Sequence, residues 1–377
     1  MPIVAHNEHP SYQLLQSSGH EIVPLKRAIS QDIRELHVGL LNMMPDAALA
    51  ATDLQFMRLI GSCNKIVQCY VHPFTIPGLP RGAAAQAYID DFYEKFPKLR
   101  VEGLDALIVT GANITEPSLR SEVFWEPLRD VMDWATANVT SIACSCLATH
   151  ALINHLYQIR RRRLPTKKWG VYNHRVTDVM HPLLQDVNTR FDVPHSRWNE
   201  IPREDLISAG LTILVEGDDG SVHLALSPDG FRVLYFQGHP EYDRISLLKE
   251  YKRELTRFFN NEIGEVPPHP ENIFNTEVLS LVDEYVTQVQ LSKKAGKEIP
   301  EFPETAIEQL LDNTWGDTGK SIFNNWLGLV YKLTHHDRHK QFMDEIDPLD
   351  PLGLLGDPEC SRVDLFGTLY PEESYAR

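Results

Sequence analysis

The run Val139-Thr140-Ser141-Ile142-Ala143-Cys144-Ser145-Cys146-Leu147-Ala148-Thr149-His150-Ala151-Leu152 decides how this chain folds. An apolar strand passes with almost no loop into an apolar-faced helix. That junction thrusts the turn residue out at the carboxyl edge of a sheet, where ligand sites of α/β folds lie. Cys146 occupies the turn, and its small neighbours Cys144 and Ala148 let strand and helix pack closely. A thiol at a helix N-terminus meets the positive end of the helix dipole, which favours the thiolate. The plainer reading is a small buried cysteine, the usual state of a free one.

On either side of this junction short β-rich runs alternate with longer helical stretches, the rhythm of a mostly parallel sheet flanked by helices. Strands are expected at Leu36–Met43, Lys65–His72, Leu104–Thr110, Leu211–Glu216, Val222–Ser227 and Arg232–Gln237. The link Gly217-Asp218-Asp219-Gly220 has hairpin chemistry. Helices are expected over 49–60, 85–96, 121–137, 147–159, 276–293 and 321–334, and over a long stretch ending near Asn261 that Asp243 caps. The segment from Arg160 to about Ile201 reads as irregular. These limits imply an N-terminal arm (1–35), one main α/β domain (36–338) and an acidic, Pro-rich, loosely attached tail (339–377).

Two further strand ends carry chemistry. Phe236-Gln237-Gly238-His239-Pro240-Glu241-Tyr242 delivers an imidazole and, two residues on, a carboxylate, a base with the group that fixes its tautomer. Val109-Thr110-Gly111-Ala112-Asn113 opens a strand into a small-residue loop, where backbone N–H groups at Ala112 and at Leu147 suit an oxyanion hole. A Thr-Gly-Ala turn alone is common. His150, one turn after Cys146, is a weaker rival base, and His195 in Pro194-His195-Ser196-Arg197 is a loop residue that lines a pocket or bonds to backbone. Cys144 and Cys146 lack a second ligand cluster of zinc spacing, so no metal is expected.

Composition narrows the partners. The 377 residues carry a net charge of −16, which argues against a nucleic-acid binder, whose affinity comes from clustered Lys and Arg. The N-terminus has neither a basic nor an apolar signal region, and no apolar run reaches the ~20 residues of a membrane span, so a cytoplasmic protein without membrane contact is expected. Five cysteines, Cys63, Cys69, Cys144, Cys146 and Cys360, are an odd number in a chain large enough to stabilise itself by burial, and read as thiols. The basic run Arg160-Arg161-Arg162-Arg163, with Lys167-Lys168, suits either a solvated loop or an attraction for phosphates.

Several strings recur together: Leu41-Asn42-Met43-Met44-Pro45, Thr52-Asp53-Leu54-Gln55-Phe56, Val109-Thr110-Gly111-Ala112, Cys146, Gly170-Val171-Tyr172, Pro194-His195-Ser196-Arg197, Gly238-His239-Pro240-Glu241-Tyr242-Asp243 and Asn324-Asn325-Trp326-Leu327. In this order, from about Arg34 to Arg338, they resemble the homoserine O-succinyltransferase/O-acetyltransferase family, whose fold is like that of class I glutamine amidotransferases. The resemblance implies ping-pong transfer from an acyl-CoA co-substrate to a hydroxy-amino acid in methionine biosynthesis, without a cofactor, by a homodimer. Cys146 falls on the acyl-carrying nucleophile, His239 on the proton acceptor and Glu241 on its partner. Lys167 and Ser196 fall on substrate-binding positions, Arg253 on the position that holds the amino acid's carboxylate, and Thr115 on the one that separates succinyl from acetyl donors. The family has Gly or Glu where Thr115 stands. It also follows Asn-Leu-Met-Pro with a Lys pair and Thr-Glu, whereas here Pro45 leads into Asp46-Ala47-Ala48-Leu49-Ala50-Ala51 before Thr52-Asp53. Positive charge is thereby lost beside the nucleophile. Serine as acceptor, a glutamine amidotransferase-like hydrolase and a non-catalytic homologue are the alternatives.

Overall fold

The apolar stretches become an eleven-stranded sheet in a computed structural model that describes residues 2–63 and 67–355. In chain order the strands are β1 (Ile3–Ala5), β2 (Ile22–Pro24), β3 (Glu35–Met43), β4 (Gln68–Phe74), β5 (Ala106–Ala112), β6 (Ser141–Ser145), β7 (Arg162–Val176), β8 (Arg190–Glu200), β9 (Thr212–Gly217), β10 (Val222–Leu226) and β11 (Val233–Phe236). Their order across the sheet is β2-β1-β4-β3-β5-β6-β11-β10-β9-β7-β8. From β2 to β11 all neighbours are parallel, and from β11 to β8 all are antiparallel.

Helices cover both faces of the parallel part, which is why β3 and β5 read as nearly continuous apolar runs. On one face Phe56, Met57 and Ile60 of helix Leu49–Gly61 share a core with Phe323, Trp326 and Leu327 of helix Gly316–Leu333. On the other, Leu128, Val131 and Met132 of helix Trp125–Asn138 pack beside Ala148, Ala151 and Leu152 of helix Leu147–Tyr157. The fully buried Trp326 donates from Nε1 to Ser141 Oγ at 2.8 Å, tying the C-terminal helix to the strand that carries Cys146. A third core joins Trp169 and Val171 of β7 to helices Ser246–Phe259 and Thr276–Lys294.

Four expectations are corrected. The segment read as an N-terminal arm supplies β1 and β2, with Ile3 and Val4 wholly buried; three-residue strands are too short to show a period. The segment read as irregular forms β7 and β8, the longest antiparallel pair of the sheet. Asp243 does not cap the helix with its side chain, because its carboxylate is taken by Arg58. Within the tail, Phe342 and Leu352 are buried in the core, so these two residues anchor 339–355. The rest of the tail, Cys360 included, lies outside the described residues, as does the expected strand start at Lys65.

Candidate active site

Cys146 stands where β6 ends and helix Leu147–Tyr157 begins, at φ 52° and ψ −108°. A side chain at positive φ is strained by roughly 1–3 kcal/mol, and such strain collects at functional turns. Two bonds hold the corner. The Cys146 N–H donates to Phe236 O on β11 at 2.8 Å. Thr149 Oγ1 lies 2.9 Å from Cys144 O and 2.8 Å from Phe236 O, so one hydroxyl clamps the ends of both strands. The sulfur-bearing residue is partly exposed, whereas Cys69 and Cys144 are buried thiols whose pKa burial pushes up.

β11 lies beside β6 with Phe236 opposite Ser145, so the chain leaving it brings His239 to the same edge. His239 Nδ1 donates to Glu241 Oε1 at 2.8 Å, and Ser145 Oγ donates to the same oxygen at 3.2 Å. Tyr242 stacks on the imidazole with ring centroids 4.1 Å apart. His239 Nε2 is buried with no hydrogen-bond partner, and Cys146 acts on the charge of the ring. Burial alone lowers an imidazole's pKa; here Glu241 and Cys146 outweigh it and hold His239 well above its ordinary value, as an imidazolium beside the sulfur. The rival His150 is different. Burial holds it near 3 as a neutral ring, bonded to Gln237 Oε1 at 3.2 Å.

Gly238 is required at the bend before His239. A Cβ there would sit 2.6 Å from Val193 Cγ1 and 2.8 Å from both His195 Cε1 and His223 Nδ1. His195 is therefore a support beneath the bend: it is fully buried, with Nε2 3.2 Å from His174 Nε2 and Nδ1 receiving Arg197 Nε at 3.3 Å.

The proposed oxyanion donors flank Cys146. Leu147 takes the first helical position, where an N–H has no partner within the helix. Gly111, next to Ala112 at the end of β5, faces both: a Cβ on it would lie 3.9 Å from Leu147 N and from Cys146 Cβ, and 3.7 Å from Met44 Sδ. Arg81 Nη1 donates to Met44 O at 2.6 Å and to Asp46 Oδ1 at 3.2 Å, while its Nε and Nη2 are buried without partners. A cation from a distant loop thus stands near the place where the family's lysines are missing, and nothing in its local sequence marks it. Thr115 is exposed, held by its N–H on Glu122 Oε1 at 2.7 Å and by its hydroxyl, 3.2 Å from Oε2. Of the basic run, Arg161 is the member whose charge is coupled to Cys146: burial lowers its pKa, with Glu122 and Cys146 opposing. Arg162 pairs with Glu204 and Asp205, and Arg163 stacks on Trp198.

Lys167 and Ser196 converge on a residue the sequence did not single out. Glu250 Oε2 accepts from Ser196 Oγ at 2.6 Å and Trp169 Nε1 at 3.0 Å, with Lys167 Nζ at 3.6 Å; Oε1 accepts from Tyr242 OH at 2.6 Å. Burial alone raises a carboxyl pKa, but Lys167, Ser196, Tyr242 and His239 pull that of Glu250 below the usual value, so it is ionised. Lys167 also lies over the Trp169 ring at 3.9 Å. Arg253, one turn beyond Glu250, is exposed and meets Glu254 Oε1 at 3.4 Å. A cavity of about 370 Å³ bounded by Arg58, Asp243, Arg244 and Lys320 reaches Glu241 from behind; neither Cys146 nor His239 lines it, so it is not where a substrate meets the sulfur.

Among the described residues no helix is long and apolar enough to cross a membrane. A family model described as homoserine O-succinyltransferase matches residues 2–336. A homoserine O-succinyltransferase of Methylococcus capsulatus is 56% identical over 354 residues, covering 94% of this chain and 100% of its own length. One of Allochromatium vinosum is 55% identical, covering 94% and 99%. Among solved structures, a glutamine amidotransferase from Thermotoga maritima matches 78% of this chain and 97% of its own at 10% identity and a TM-score of 0.42, too slight a likeness to add to the sheet order itself.

Proposed function

The chain belongs to the homoserine O-succinyltransferase family, and from that premise we propose that it transfers a succinyl group from succinyl-CoA to the hydroxyl of L-homoserine, a step of methionine biosynthesis. The observation that carries the reading is the Cys146, His239, Glu241 set at the carboxyl edge of the parallel sheet. The Cys146 thiolate attacks the thioester carbonyl carbon, and the oxyanion is received by the Leu147 N–H and the backbone at Ala112. Collapse breaks the carbon–sulfur bond to coenzyme A; its thiolate leaves with the proton that His239 Nε2 gives up. The acyl group is now a thioester on Cys146 and His239 is a neutral base. It takes the homoserine hydroxyl proton as that oxygen attacks the acyl carbon, and the Cys146 thiolate departs, restoring the starting pair.

Recognition follows from charge. Glu250 suits the ammonium of the acceptor and Arg253 its carboxylate, with Lys167 and Ser196 orienting them. Arg161 and Arg81 are the cations for the donor's free carboxylate, and Thr115 lines that side through Glu122. Incubation with succinyl-CoA or acetyl-CoA alone, followed by intact mass, tests the reading. One succinyl group is expected on the wild type and none on Cys146→Ala. An adduct of equal yield on Cys146→Ala, or none on either, overturns it.

A further inference from the structure

A second cluster of titratable groups lies at the other side of the sheet, with β3 and β5 between it and the nucleophile strand. β1 runs beside β4 with Ile3 opposite Cys69, and three residues further along each chain stand His6 and His72. Glu94 joins them from the link after helix Ala83–Phe92, held by its N–H on Pro73 O at 2.8 Å. His72 Nδ1 is 2.5 Å from Glu94 Oε1, and His6 Nε2 is 3.6 Å from the same oxygen. These three ligand atoms all lie within 4.8 Å of one another.

The hydrogens around them do not add up. His6 Nδ1 faces Val4 O at 3.2 Å and the Tyr12 hydroxyl at 3.3 Å; the carbonyl only accepts and the hydroxyl oxygen can accept as well, so a hydrogen on Nδ1 serves both contacts and Nε2 presents a lone pair. Asn7 agrees: its Oδ1 accepts from His9 N at 3.1 Å, which fixes the amide and turns Nδ2 to His6 Nε2 at 3.5 Å. That lone pair nevertheless points toward a carboxylate. Behind it runs a chain of contacts from Glu35 Oε2 to His37 Nε2 (3.2 Å), from His37 Nδ1 to His72 Nε2 (2.9 Å) and from His72 Nδ1 to Glu94 Oε1 (2.5 Å). Three contacts need three hydrogens, and two neutral imidazoles supply two. One contact is left with lone pairs face to face. The buried pair His174 and His195 shows no such shortage: His174 Nδ1 gives its hydrogen to Tyr172 O, so its Nε2 accepts from His195.

We infer that His6 Nε2, His72 Nδ1 and Glu94 Oε1 bind a divalent cation of the zinc class, with water in the fourth position. A cation there satisfies every contact at once: His72 Nε2–H then donates to His37, and His37 Nε2–H to Glu35, the carboxylate-backed second shell that orients a metal-bound imidazole. Two neutral imidazoles and one carboxylate are a zinc donor set, and tetrahedral bonds place ligand atoms roughly 3.3 Å apart. The His6–Glu94 pair is near that spacing, and the His72–Glu94 pair opens by under about 1 Å to reach it. Lys98 holds Oε2 of Glu94 at 2.7 Å, leaving Oε1 as the single ligand oxygen. His6 and Glu94 are 14% and 13% exposed, which gives the ion an entry path. Its effect is structural, fastening β1 and the Glu94 link to β4.

The test is calorimetric titration of chelator-stripped full-length protein with Zn²⁺, in a Cys146→Ala background so that the active-site thiol cannot compete. One equivalent is expected, with a rise in melting temperature, and Co²⁺ in its place should give the intense visible absorption of a tetrahedral site. Adding Glu94→Gln or, independently, His6→Ala should weaken binding by roughly tenfold or more and abolish the Co²⁺ bands. Circular dichroism of each variant confirms folding. If Cys146→Ala binds no Zn²⁺, or if both added variants bind as tightly as their parent, a shared proton completes the chain and the inference falls.

Discussion

Replacing Glu241 by Gln is the sharpest probe of the proposed chemistry, because it keeps the shape and removes the charge that His239 Nδ1 addresses at 2.8 Å. A hydrogen bond between charged groups contributes about 1.5–3 kcal/mol, which alone slows the reaction roughly 10- to 150-fold. The amide adds a second loss. If its NH₂ faces Nδ1, the ring turns to the tautomer that cannot accept a proton at Nε2, a fault that takes a related triad down by about 10⁴. A fall in kcat/KM of about 10²- to 10⁴-fold is therefore expected. The pH profile must move as well. Burial lowers the His239 pKa and Glu241 with Cys146 raises it, so losing Glu241 brings it down. The imidazolium then loses its proton earlier as pH rises, and the alkaline limb of kcat/KM shifts to lower pH. Steady-state rates across pH with both substrates, with the acyl-enzyme followed by mass, measure this. A loss under about fivefold with an unmoved alkaline limb would refute the assignment of Glu241 as the partner of His239.

Three further outcomes follow from the geometry. Cys146→Gly should be inactive yet more stable than Cys146→Ala by about 1 kcal/mol, since glycine relieves the positive φ at the corner; chemical denaturation compares them, and equal midpoints would contradict the strain. Gly238→Ala should cost about 1–3 kcal/mol or more, because its Cβ meets Val193, His195 and His223 together, and an unchanged melting temperature would show that the bend yields freely. Glu250→Gln should raise KM for homoserine about tenfold while leaving acyl-enzyme formation from succinyl-CoA intact; an equal defect in both halves would place Glu250 outside acceptor binding.

The Cys146 corner is legible because a strand, a turn and a helix each announce themselves within one short run, and because Gly238-His239-Pro240-Glu241 repeats the trick at the neighbouring strand. What escaped did so for physical reasons. β7 carries charged residues on both faces where it begins, so neither alternation nor an apolar run marks it, and its pairing with β8 depends on residues far along the chain. Glu250 sits in Lys249-Glu250-Tyr251-Lys252-Arg253-Glu254, where one charge among five has nothing local to distinguish it; its role comes from Trp169, Lys167, Ser196 and Tyr242 arriving from three other segments. His6, His72 and Glu94 were invisible in the same way, since only the parallel register of β1 with β4 sets the two rings side by side.

The change of sheet direction beyond β11 has an evolutionary reading. The residues proposed to form the thioester lie on the parallel strands and their connections, whereas Lys167 and Ser196 hang on a hairpin attached at one margin. A lineage can remodel that margin, and with it the choice of alcohol, while the sulfur, the ring and the acid stay in register. On the roles proposed above, reactivity belongs to the parallel sheet, while selectivity is shared between this hairpin and the helix that carries Glu250 and Arg253, so a graft for a different acceptor has to exchange the two together.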